Sequence, residues 1–262
     1  MTAPTHLRAT AFTHQGAVRP GNEDTVAVGD WIRRLPMAAP VVLEHEVAAP
    51  LICLVADGMG GHAAGDVASR AVAERLSRRA AAATDEAATL HLLHEANHEL
   101  FGLMNESPVW YGMGTTVAGV VVAPSGVLVF NVGDSRVYRI AAGGLVQLST
   151  DDTPGPKLPD GRTAARTSSI ITQVLGGYGS DRPEDRIAPH VLSEPLVDGP
   201  RYLICSDGLT DLLEPAEIEA SLVDDDRASA AALFEAAMAR GGDDNVSLIL
   251  LRLRRGDGGA VP

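Results

Sequence analysis

The stretch Leu51-Ile52-Cys53-Leu54-Val55-Ala56-Asp57-Gly58 decides how the whole sequence is interpreted. Its six apolar residues in a row predict a strand that is covered on both faces. The strand stops at an aspartate followed by glycine, and glycine lets the backbone come close to whatever the carboxylate holds. An alanine-rich helical stretch follows, to about Ala83. The sequence therefore predicts a carboxylate displayed at the end of a buried strand.

Similar carboxylates occur at three other places. Apolar strands also stop at an aspartate in Phe130-Asn131-Val132-Gly133-Asp134 and in Ile204-Cys205-Ser206-Asp207-Gly208, and Asp243-Asp244 precedes the last predicted strand. Any one of these aspartates is explained by a turn that ends a strand. Gathered together, they would repel one another and raise one another's pKa unless a cation were bound. Oxygen ligands favour Mg²⁺ or Mn²⁺ over zinc, so a shared divalent-cation site is the alternative to four simple turns.

Strand and helix patterns alternate along the first half of the chain. Leu7–Val28 is predicted to be β-rich, with a turn at Pro20-Gly21. Trp31–Pro50 contains three prolines and is predicted to be an irregular excursion. Asp85–Met104 is predicted to be an amphipathic helix because its leucines fall on one side of a helical wheel.

After Gly112 the period changes to that of strands. An antiparallel meander is predicted from four strands at Thr115–Ala123, Val127–Val132, Arg136–Ile140 and Leu145–Leu148. Thr153–Gly161 is rich in proline and glycine and is predicted to be a mobile loop. The remaining predicted elements are a buried strand at Arg201–Cys205, helices at Pro215–Leu222 and Arg227–Arg240, and a closing strand at Val246–Leu253.

No internal repeat or linker divides the 262 residues. Groups of strands alternate with pairs of helices, which is typical of layered α and β elements around one core. We therefore expect a single domain over residues 7–254 and a disordered tail over residues 255–262.

Charge and apolar runs exclude several classes of protein. The chain has 21 Lys+Arg against 34 Asp+Glu, a formal net charge of −13 without a basic patch, which argues against a nucleic-acid partner. Met1–Gly16 has no apolar run of signal-peptide length, and Pro124-Ser125-Gly126 breaks the longest apolar stretch, so no membrane partner is expected. Cys53 and Cys205 lie in apolar strands, as buried thiols in a reducing cytoplasm do. The expected location is the cytoplasm.

Three local patterns point to other chemistries. Gly58-Met59-Gly60-Gly61-His62-Ala63 fits a dinucleotide fingerprint, but no strand ending in an acid follows at the required distance. His94-Glu95-Ala96-Asn97-His98 is an H-E-x-x-H motif, yet the polar side of its helix favours a solvated face over a zinc protease. A cysteine-based phosphatase would need an arginine six residues after Cys53 or Cys205, where Met59 and Asp211 stand.

Six motifs together resemble the metal-dependent protein serine/threonine phosphatases, the PPM family or type 2C phosphatases, in their bacterial form. One motif alone would be a weak signal, but all six occur in the family's order and span nearly the whole chain. They are Arg19–Asp24, Asp57–His62, Gly112–Thr116, Gly133–Arg136, Ser206–Asp211 and Asp243–Asn245.

The resemblance implies an α+β fold, a four-layer α-β-β-α sandwich of two antiparallel sheets flanked by helix pairs. It also implies a cleft at one end that holds two Mg²⁺ or Mn²⁺ ions. Asp57 would bridge the two ions, and Asp207 and Asp244 would complete one site. Glu23 and the Gly58 carbonyl would serve the other, largely through waters.

Further roles follow from the same resemblance. Asp134, with Asp207, would hold a third, weaker ion, and Arg19 would bind the phosphate. His62 would protonate the leaving oxygen, or else would be a structural histidine at the start of a helix. The expected supporting residues around the ligands are Asp24, Thr116 and Asn245.

The implied reaction is hydrolysis of phosphoserine and phosphothreonine in proteins. Two ions about 3.5–4 Å apart would activate a water for in-line attack, without a covalent intermediate. The implied partners are phosphoprotein substrates, including a Ser/Thr kinase or its targets, and a monomer is expected. A catalytically silent fold that senses a partner is the alternative, and it would be expected to lack one of Asp57, Asp207 and Asp244.

Two departures from the family bear on substrate choice. Asp151-Asp152 stands where bacterial members usually have an Asp-His pair. The flap that normally follows is reduced to the Pro/Gly-rich segment Thr153–Gly161 and its continuation. The resemblance links both the flap and the third ion to substrate choice.

Overall fold

The structure is a computed structural model that describes residues 5–59, 64–154, 170–177, 187–195 and 199–255. The described residues of the first half of the chain form six strands and two α-helices. They are β1 (Thr5–His14), β2 (Thr25–Val28), β3 (Trp31–Arg33), β4 (Val41–Val47), β5 (Leu51–Ala56), β6 (Gly58–Met59), α1 (Gly65–Arg78) and α2 (Glu86–Glu106).

The second half returns to strands before three helices and a long final strand. Its described elements are β7 (Gly114–Thr115), β8 (Val117–Ala123), β9 (Gly126–Val132), β10 (Arg136–Ala141), β11 (Gly144–Gln147), β12 (Leu175–Gly176), β13 (His190–Glu194), β14 (Arg201–Cys205), α3 (Asp207–Thr210), α4 (Pro215–Ala220), α5 (Asp226–Ala239) and β15 (Val246–Arg255).

Two antiparallel sheets form the body of the protein. The first has the order β11-β10-β14-β15-β1-β4, and the second has the order β13-β9-β8-β5-β2-β3. The predicted strands at β5 and β14 lie at the expected residues. Within the described residues, β5 pairs with β2 and β8 and so is central in its sheet, which explains its continuous apolar sequence.

Three buried apolar layers separate four layers of structure. One layer lies between the two sheets and includes Leu7, Val55 and Ile249. A second lies between the sheet that contains β5 and the helices α1 and α2. A third lies between the sheet that contains β14 and the helices α3, α4 and α5. The predicted four-layer α-β-β-α sandwich is therefore confirmed. No helix in the described ranges is long and apolar enough to cross a membrane.

The chain passes between the two sheets several times. Residues 15–24 connect β1 to β2, residues 34–40 connect β3 to β4, and residues 133–135 connect β9 to β10. All three passages lie at the end of the sandwich where β5 stops. Two further passages, residues 48–50 and 195–200, lie at the opposite end, and part of the second falls outside the described residues.

The interpretation of Trp31–Pro50 as an irregular excursion is wrong. It contains β3 and β4, and β4 pairs with β1 from Ala11↔Val41 to Thr5↔Val47. The three prolines concealed the strands from sequence reasoning, but all of them lie outside β3 and β4. Proline is tolerated there because it removes no ladder hydrogen bond.

The predicted meander is also wrong. The pairs β8–β9 and β10–β11 are hairpins, but they belong to different sheets. The chain turns between them at Gly133, whose φ is +98°. A Cβ at this position would lie 2.6 Å from the Thr116 side chain, so the turn requires glycine. Strand periodicity alone does not report such a change of sheet.

Candidate active site

Asp57, Asp207 and Asp244 come from distant parts of the sequence and meet at one end of the sandwich. Asp57 follows β5, Asp207 begins α3 after β14, and Asp244 lies just before β15. The Asp57 carbonyl accepts hydrogen bonds from the Thr116 backbone N–H (2.9 Å) and the Thr115 hydroxyl (2.8 Å). These bonds fix the backbone that displays the Asp57 carboxylate.

The three carboxyl groups repel one another. Burial raises the pKa of Asp57 well above its usual value, and the charges of Asp24, Asp207 and Asp244 raise it further. The side chains of Asp57 and Asp207 lie within hydrogen-bond reach of each other. Burial followed by the charge of Asp207 also raises the pKa of Asp244. This arrangement favours either a bound proton or a bound cation.

Arg19 lies against the same group. Its Nη2 is 2.6 Å from Asp244 Oδ2, and its side chain is 52% exposed, so it has room to contact a ligand. Partial burial lowers the pKa of Arg19, but the charges of Asp244, Asp57 and Asp207 outweigh this effect and raise it overall. The structure therefore places a planar cationic fork at the edge of the acidic cluster.

Glu23 and Gly58 adjoin Gly65, the first residue of α1. A Cβ at Gly65 would lie 2.7 Å from Glu23 Oε2 and 2.9 Å from the Gly58 carbonyl oxygen. A Cβ at Gly58 would lie 2.2 Å from the Gly65 carbonyl oxygen. The two glycines let the strand end, the helix start and the Glu23 carboxylate come together. Burial and then the charge of Asp66 raise the pKa of Glu23.

Asn245 ties the loop 19–24 to the segment that carries Asp244. Its Oδ1 accepts from the Glu23 backbone N–H at 2.8 Å, and its Nδ2 donates to the carbonyls of Gln15 and Gly21, each at 2.9 Å. Asp24 is fully buried behind the cluster and accepts from Ser206 Oγ at 2.9 Å. Burial raises the pKa of Asp24 to about 7, with Asp207 and Asp244 adding to the shift.

Asp134 lies in the turn at Gly133 and is buried. The neighbouring Ser135 hydroxyl is 2.7 Å from the hydroxyl of Thr116, the residue whose N–H holds Asp57. The turn thus connects Asp134 to the backbone of the cluster. Its predicted part in a third, weaker ion site stays a prediction.

Asp151 and Asp152 each have their own partners. Asp151 accepts from Arg136 Nη2 at 2.6 Å, which is an ion pair between largely buried side chains. Asp152 accepts from the Gly133 N–H at 2.8 Å and contacts His190 Nε2 at 2.9 Å. A histidine from β13 therefore stands beside Asp152, although none follows Asp151 in sequence.

Several predictions fall on residues outside the described ranges. The predicted tail begins one residue too early, since Arg255 pairs with Thr5 and ends β15. His62 lies in residues 60–63, and residues 155–161 of the predicted mobile loop and 256–262 of the predicted tail are likewise outside the described ranges. Their predicted roles and structures remain predictions.

The residues that are described suit a hard divalent cation. All the predicted donors are oxygens, and several are carboxylates held close together against their mutual repulsion. A buried Asp24 oxygen also has no hydrogen-bond partner. No three His, Cys, Asp or Glu side chains in these ranges already enclose one ion position. Mg²⁺ does not require such an enclosure, because it keeps several waters beside its carboxylate ligands.

The comparisons with known proteins decide the family. Residues 41–248 match the family model described as Protein phosphatase 2C. The chain belongs to this family. Since the match begins at residue 41, the loop with Arg19 and Glu23 lies outside it. The resemblance to bacterial type 2C phosphatases is thereby confirmed.

Curated members of the Protein phosphatase 2C family are similar along most of the chain. Serine/threonine protein phosphatase PstP of Mycobacterium tuberculosis (strain ATCC 25618 / H37Rv) is 32% identical over 93% of this chain, which spans 44% of PstP. Serine/threonine phosphatase stp of Listeria innocua is 31% identical over 94% of this chain and 95% of its own length.

Solved structures show the same fold. The Mycobacterium tuberculosis phosphatase PstP/Ppp has a TM-score of 0.73 and 29% identity over 95% of this chain and 100% of its own. The catalytic domain of PstP in complex with two manganese ions has a TM-score of 0.74 and 28% identity, over 95% and 99% of the two chains.

The structure does not support the sites suggested by the dinucleotide fingerprint that begins at Gly58 or by the H-E-x-x-H motif at His94–His98. All the paired strands in the described residues are antiparallel, whereas a dinucleotide fold needs a parallel sheet. In α2, Glu95 forms ion pairs with Arg75 (3.3 Å) and Arg79 (3.8 Å) rather than facing a metal. His98 is exposed. These contacts agree with a solvated, ion-paired helix face.

Sequence reasoning missed the residues that hold this type 2C site together. Ser69 donates to the Glu23 carbonyl at 2.5 Å, Ser206 donates to Asp24, and Asn22 donates to Thr13 Oγ1 at 2.7 Å. Short polar side chains carry no periodic signal, so their role emerges only when the fold brings their partners near. Asn22 and Ser206 did lie inside the recognised motifs, which was the one available sign.

Proposed function

We propose that this chain is a metal-dependent protein serine/threonine phosphatase. The observation that carries the proposal is the convergence of Asp57, Asp207, Asp244 and Arg19 from separate segments onto one end of the sandwich. Membership of the Protein phosphatase 2C family and the curated phosphatase relatives support it. A silent member would be expected to lack one of Asp57, Asp207 and Asp244, and this chain has all three.

Each residue has a proposed part in the reaction. Asp57, Asp207 and Asp244 would hold one divalent ion, and Glu23 and the Gly58 carbonyl would serve a second beside Asp57. Such ions, when bound, supply an activated water and offset negative charge on the phosphoryl oxygens. Arg19 binds and orients the phosphate, and Asn245 keeps the Arg19–Asp24 loop against Asp244.

Phosphoserine and phosphothreonine in proteins are the proposed substrates. The type 2C relatives named for serine/threonine phosphatase activity support this substrate class. Reversal of a Ser/Thr kinase is the corresponding proposed role. The choice between Mg²⁺ and Mn²⁺, the third ion, the single-domain boundaries, the monomeric state and the cytoplasmic location stay predictions.

The experiment is hydrolysis of an aryl phosphate and of a phosphothreonine peptide with Mn²⁺. We expect turnover that EDTA abolishes, and a loss on the order of 10²-fold or more in Asp207→Asn, because one ligand charge is removed. The variant should keep its circular dichroism spectrum. His98→Ala is the control, since His98 lies on the solvated face of α2, and it should retain activity.

Near-normal turnover by Asp207→Asn, or turnover that persists in EDTA, would contradict the assignment. Metal-dependent cleavage of a peptide bond that is lost in His98→Ala and kept in Asp207→Asn would favour the zinc-protease interpretation instead.

A further inference from the structure

Arg34 lies in residues 34–40, the passage that connects β3 to β4 at the cleft end of the sandwich. Its Nη1 donates to the Asn22 carbonyl at 3.0 Å and lies 3.3 Å from Asp66 Oδ2 in the first turn of α1. Its side chain is 32% exposed. One cationic nitrogen thus joins the Arg19–Asp24 loop to the helix that begins beside Gly58.

The contact between Arg34 and Asn22 is reciprocal. Asn22 Nδ2 donates back to the Arg34 carbonyl at 2.5 Å and also to Thr13 Oγ1 at 2.7 Å. Asn22 is 4% exposed, so these bonds are largely shielded from water. The passage itself is anchored by the Met37 N–H, which donates to the Thr13 carbonyl at 2.9 Å. Three segments are therefore locked to one another immediately before Glu23.

Arg34 also offsets the charge of Asp66 near Glu23. The Asp66 charge acts unfavourably on the ionised Glu23 carboxylate, and Arg34 acts in the opposite direction. Replacing Arg34 would leave Arg19 as the cation that offsets the Asp66 charge at Glu23.

We propose that Arg34 is a positioning residue that braces the Arg19–Asp24 loop, so that Arg19 and Glu23 stay aligned with the acids at the strand ends. The inference rests on the proposed function of that site. Arg34 itself touches no reacting atom; it acts through the Asn22 backbone and through Asp66. The segment that supplies it is the one that sequence analysis treated as an irregular excursion.

The test compares Arg34→Ala, Arg34→Lys and Arg33→Ala. Arg33 is the matched control because it is exposed and its Nε donates to the carbonyl of Leu35 in its own turn. We expect Arg34→Ala to raise the KM for an aryl phosphate roughly tenfold at saturating Mn²⁺, with a smaller change in kcat, as expected for residues that orient ligands. Arg34→Lys should restore most of the loss, because a single cationic nitrogen makes both contacts.

A second readout does not depend on catalysis. The Glu23 amide is bonded to Asn245, and its hydrogen exchange in the metal-free protein reports how firmly the loop is held. We expect faster exchange in Arg34→Ala, and wild-type exchange in Arg33→Ala and Arg34→Lys. If Arg34→Ala does not fold, Arg34→Gln carries the same two measurements, with the same direction of change expected.

The proposal is overturned if Arg34→Ala matches Arg33→Ala in KM and in Glu23 exchange, or if Arg34→Lys restores neither. Absence of phosphatase activity in the wild-type chain would contradict the proposed function instead. The hydrogen exchange of the Glu23 amide would still decide whether Arg34 holds the Arg19–Asp24 loop.

Discussion

The acidic and basic side chains at the cleft have opposing electrostatic effects. Asp57, Asp207 and Asp244 repel one another, while Arg19 pairs with Asp244 and Arg34 pairs with Asp66 beside the cluster. Because the carboxylates are partly or fully removed from water, their repulsion is screened less than that of surface charges. Replacing a single charge should therefore change ligand binding more than it changes the fold.

Arg19→Ala should mainly raise the KM for a phosphosubstrate. Charge-assisted hydrogen bonds contribute about 1.5–3 kcal/mol, which corresponds to a rise of roughly 10- to 150-fold. Steady-state kinetics with an aryl phosphate and saturating Mn²⁺ would measure it. Arg70→Ala is the control, because Arg70 pairs with Glu74 on the exposed face of α1. An unchanged KM in Arg19→Ala would contradict its phosphate-binding role.

The chemistry of the site was more predictable than its supports. Asp57, Asp207 and Asp244 could be predicted because each follows or precedes an apolar strand whose end is easily recognised. Arg34, Ser69 and Ser206 could not, since each acts on a residue far away in sequence. Their contacts exist only after the two sheets and α1 have been assembled.

At the level of elements, the start of α1 is set by close packing rather than by helix propensity. Gly65 and Gly58 pack so closely that a side chain on either would collide with backbone, and Gly65 also borders Glu23. Glycine costs an exposed helix position about 1 kcal/mol relative to alanine. At Gly65 this lower helix propensity accompanies a close contact with Gly58 and Glu23 that a residue with a side chain could not make.

Gly65→Ala should reduce phosphatase activity by at least tenfold at limiting Mn²⁺, because the new methyl group would displace Glu23. Gly102→Ala in α2 is the matched control, as no atom lies within 4 Å of its added Cβ. It should leave activity unchanged and stabilise the fold by about 1 kcal/mol. Activity measured across a Mn²⁺ titration and thermal melts of both variants would check this. Equal activities would show that Glu23 tolerates the displacement.

Elements with unbroken apolar runs were predicted well, and those that depend on remote partners were not. Arg201–Cys205 is a strand at the predicted residues because its run of apolar residues is buried whatever its partners are. In contrast, β4 is an edge strand of alternating exposure among prolines, and β12 has only two residues. The change of sheet at Gly133 depends on tertiary packing that no local pattern encodes.

At the scale of the whole molecule, three apolar layers hold the acidic cleft in place. The carboxyl groups of Glu23, Asp24, Asp57 and Asp244 all have raised pKa values. Each binds its proton more tightly in the folded chain than in the unfolded chain. The bound protons on these carboxyl groups therefore stabilise the fold fully below about pH 4. This stabilisation is lost as the pH rises, and for Asp24 the loss occurs as the pH passes about 7.

Asp24→Asn should become more stable relative to the wild type as the pH of EDTA-containing buffer rises from about 5 to 8, since the wild type must then ionise a buried carboxyl. Chemical denaturation of both proteins at several pH values would measure this difference. Mn²⁺ at 100 times its dissociation constant should stabilise the wild type by about 2.7 kcal/mol. A difference between the two proteins that stays constant or shrinks with rising pH would contradict the assignment of Asp24.

The passages between the sheets have a consequence for how this cleft tolerates change. Residues 15–24, 34–40 and 133–135 are at once the covalent ties between the two sheets and the walls that carry Arg19, Glu23, Arg34 and Asp134. Inserting residues into any of these passages would loosen the connection between the two sheets and would also displace the cleft residues that the passage carries. At the other end of the sandwich, extra residues at 48–50 would loosen the tie alone. Room for new residues therefore exists at 48–50, far from the chemistry, and hardly at all in these three passages.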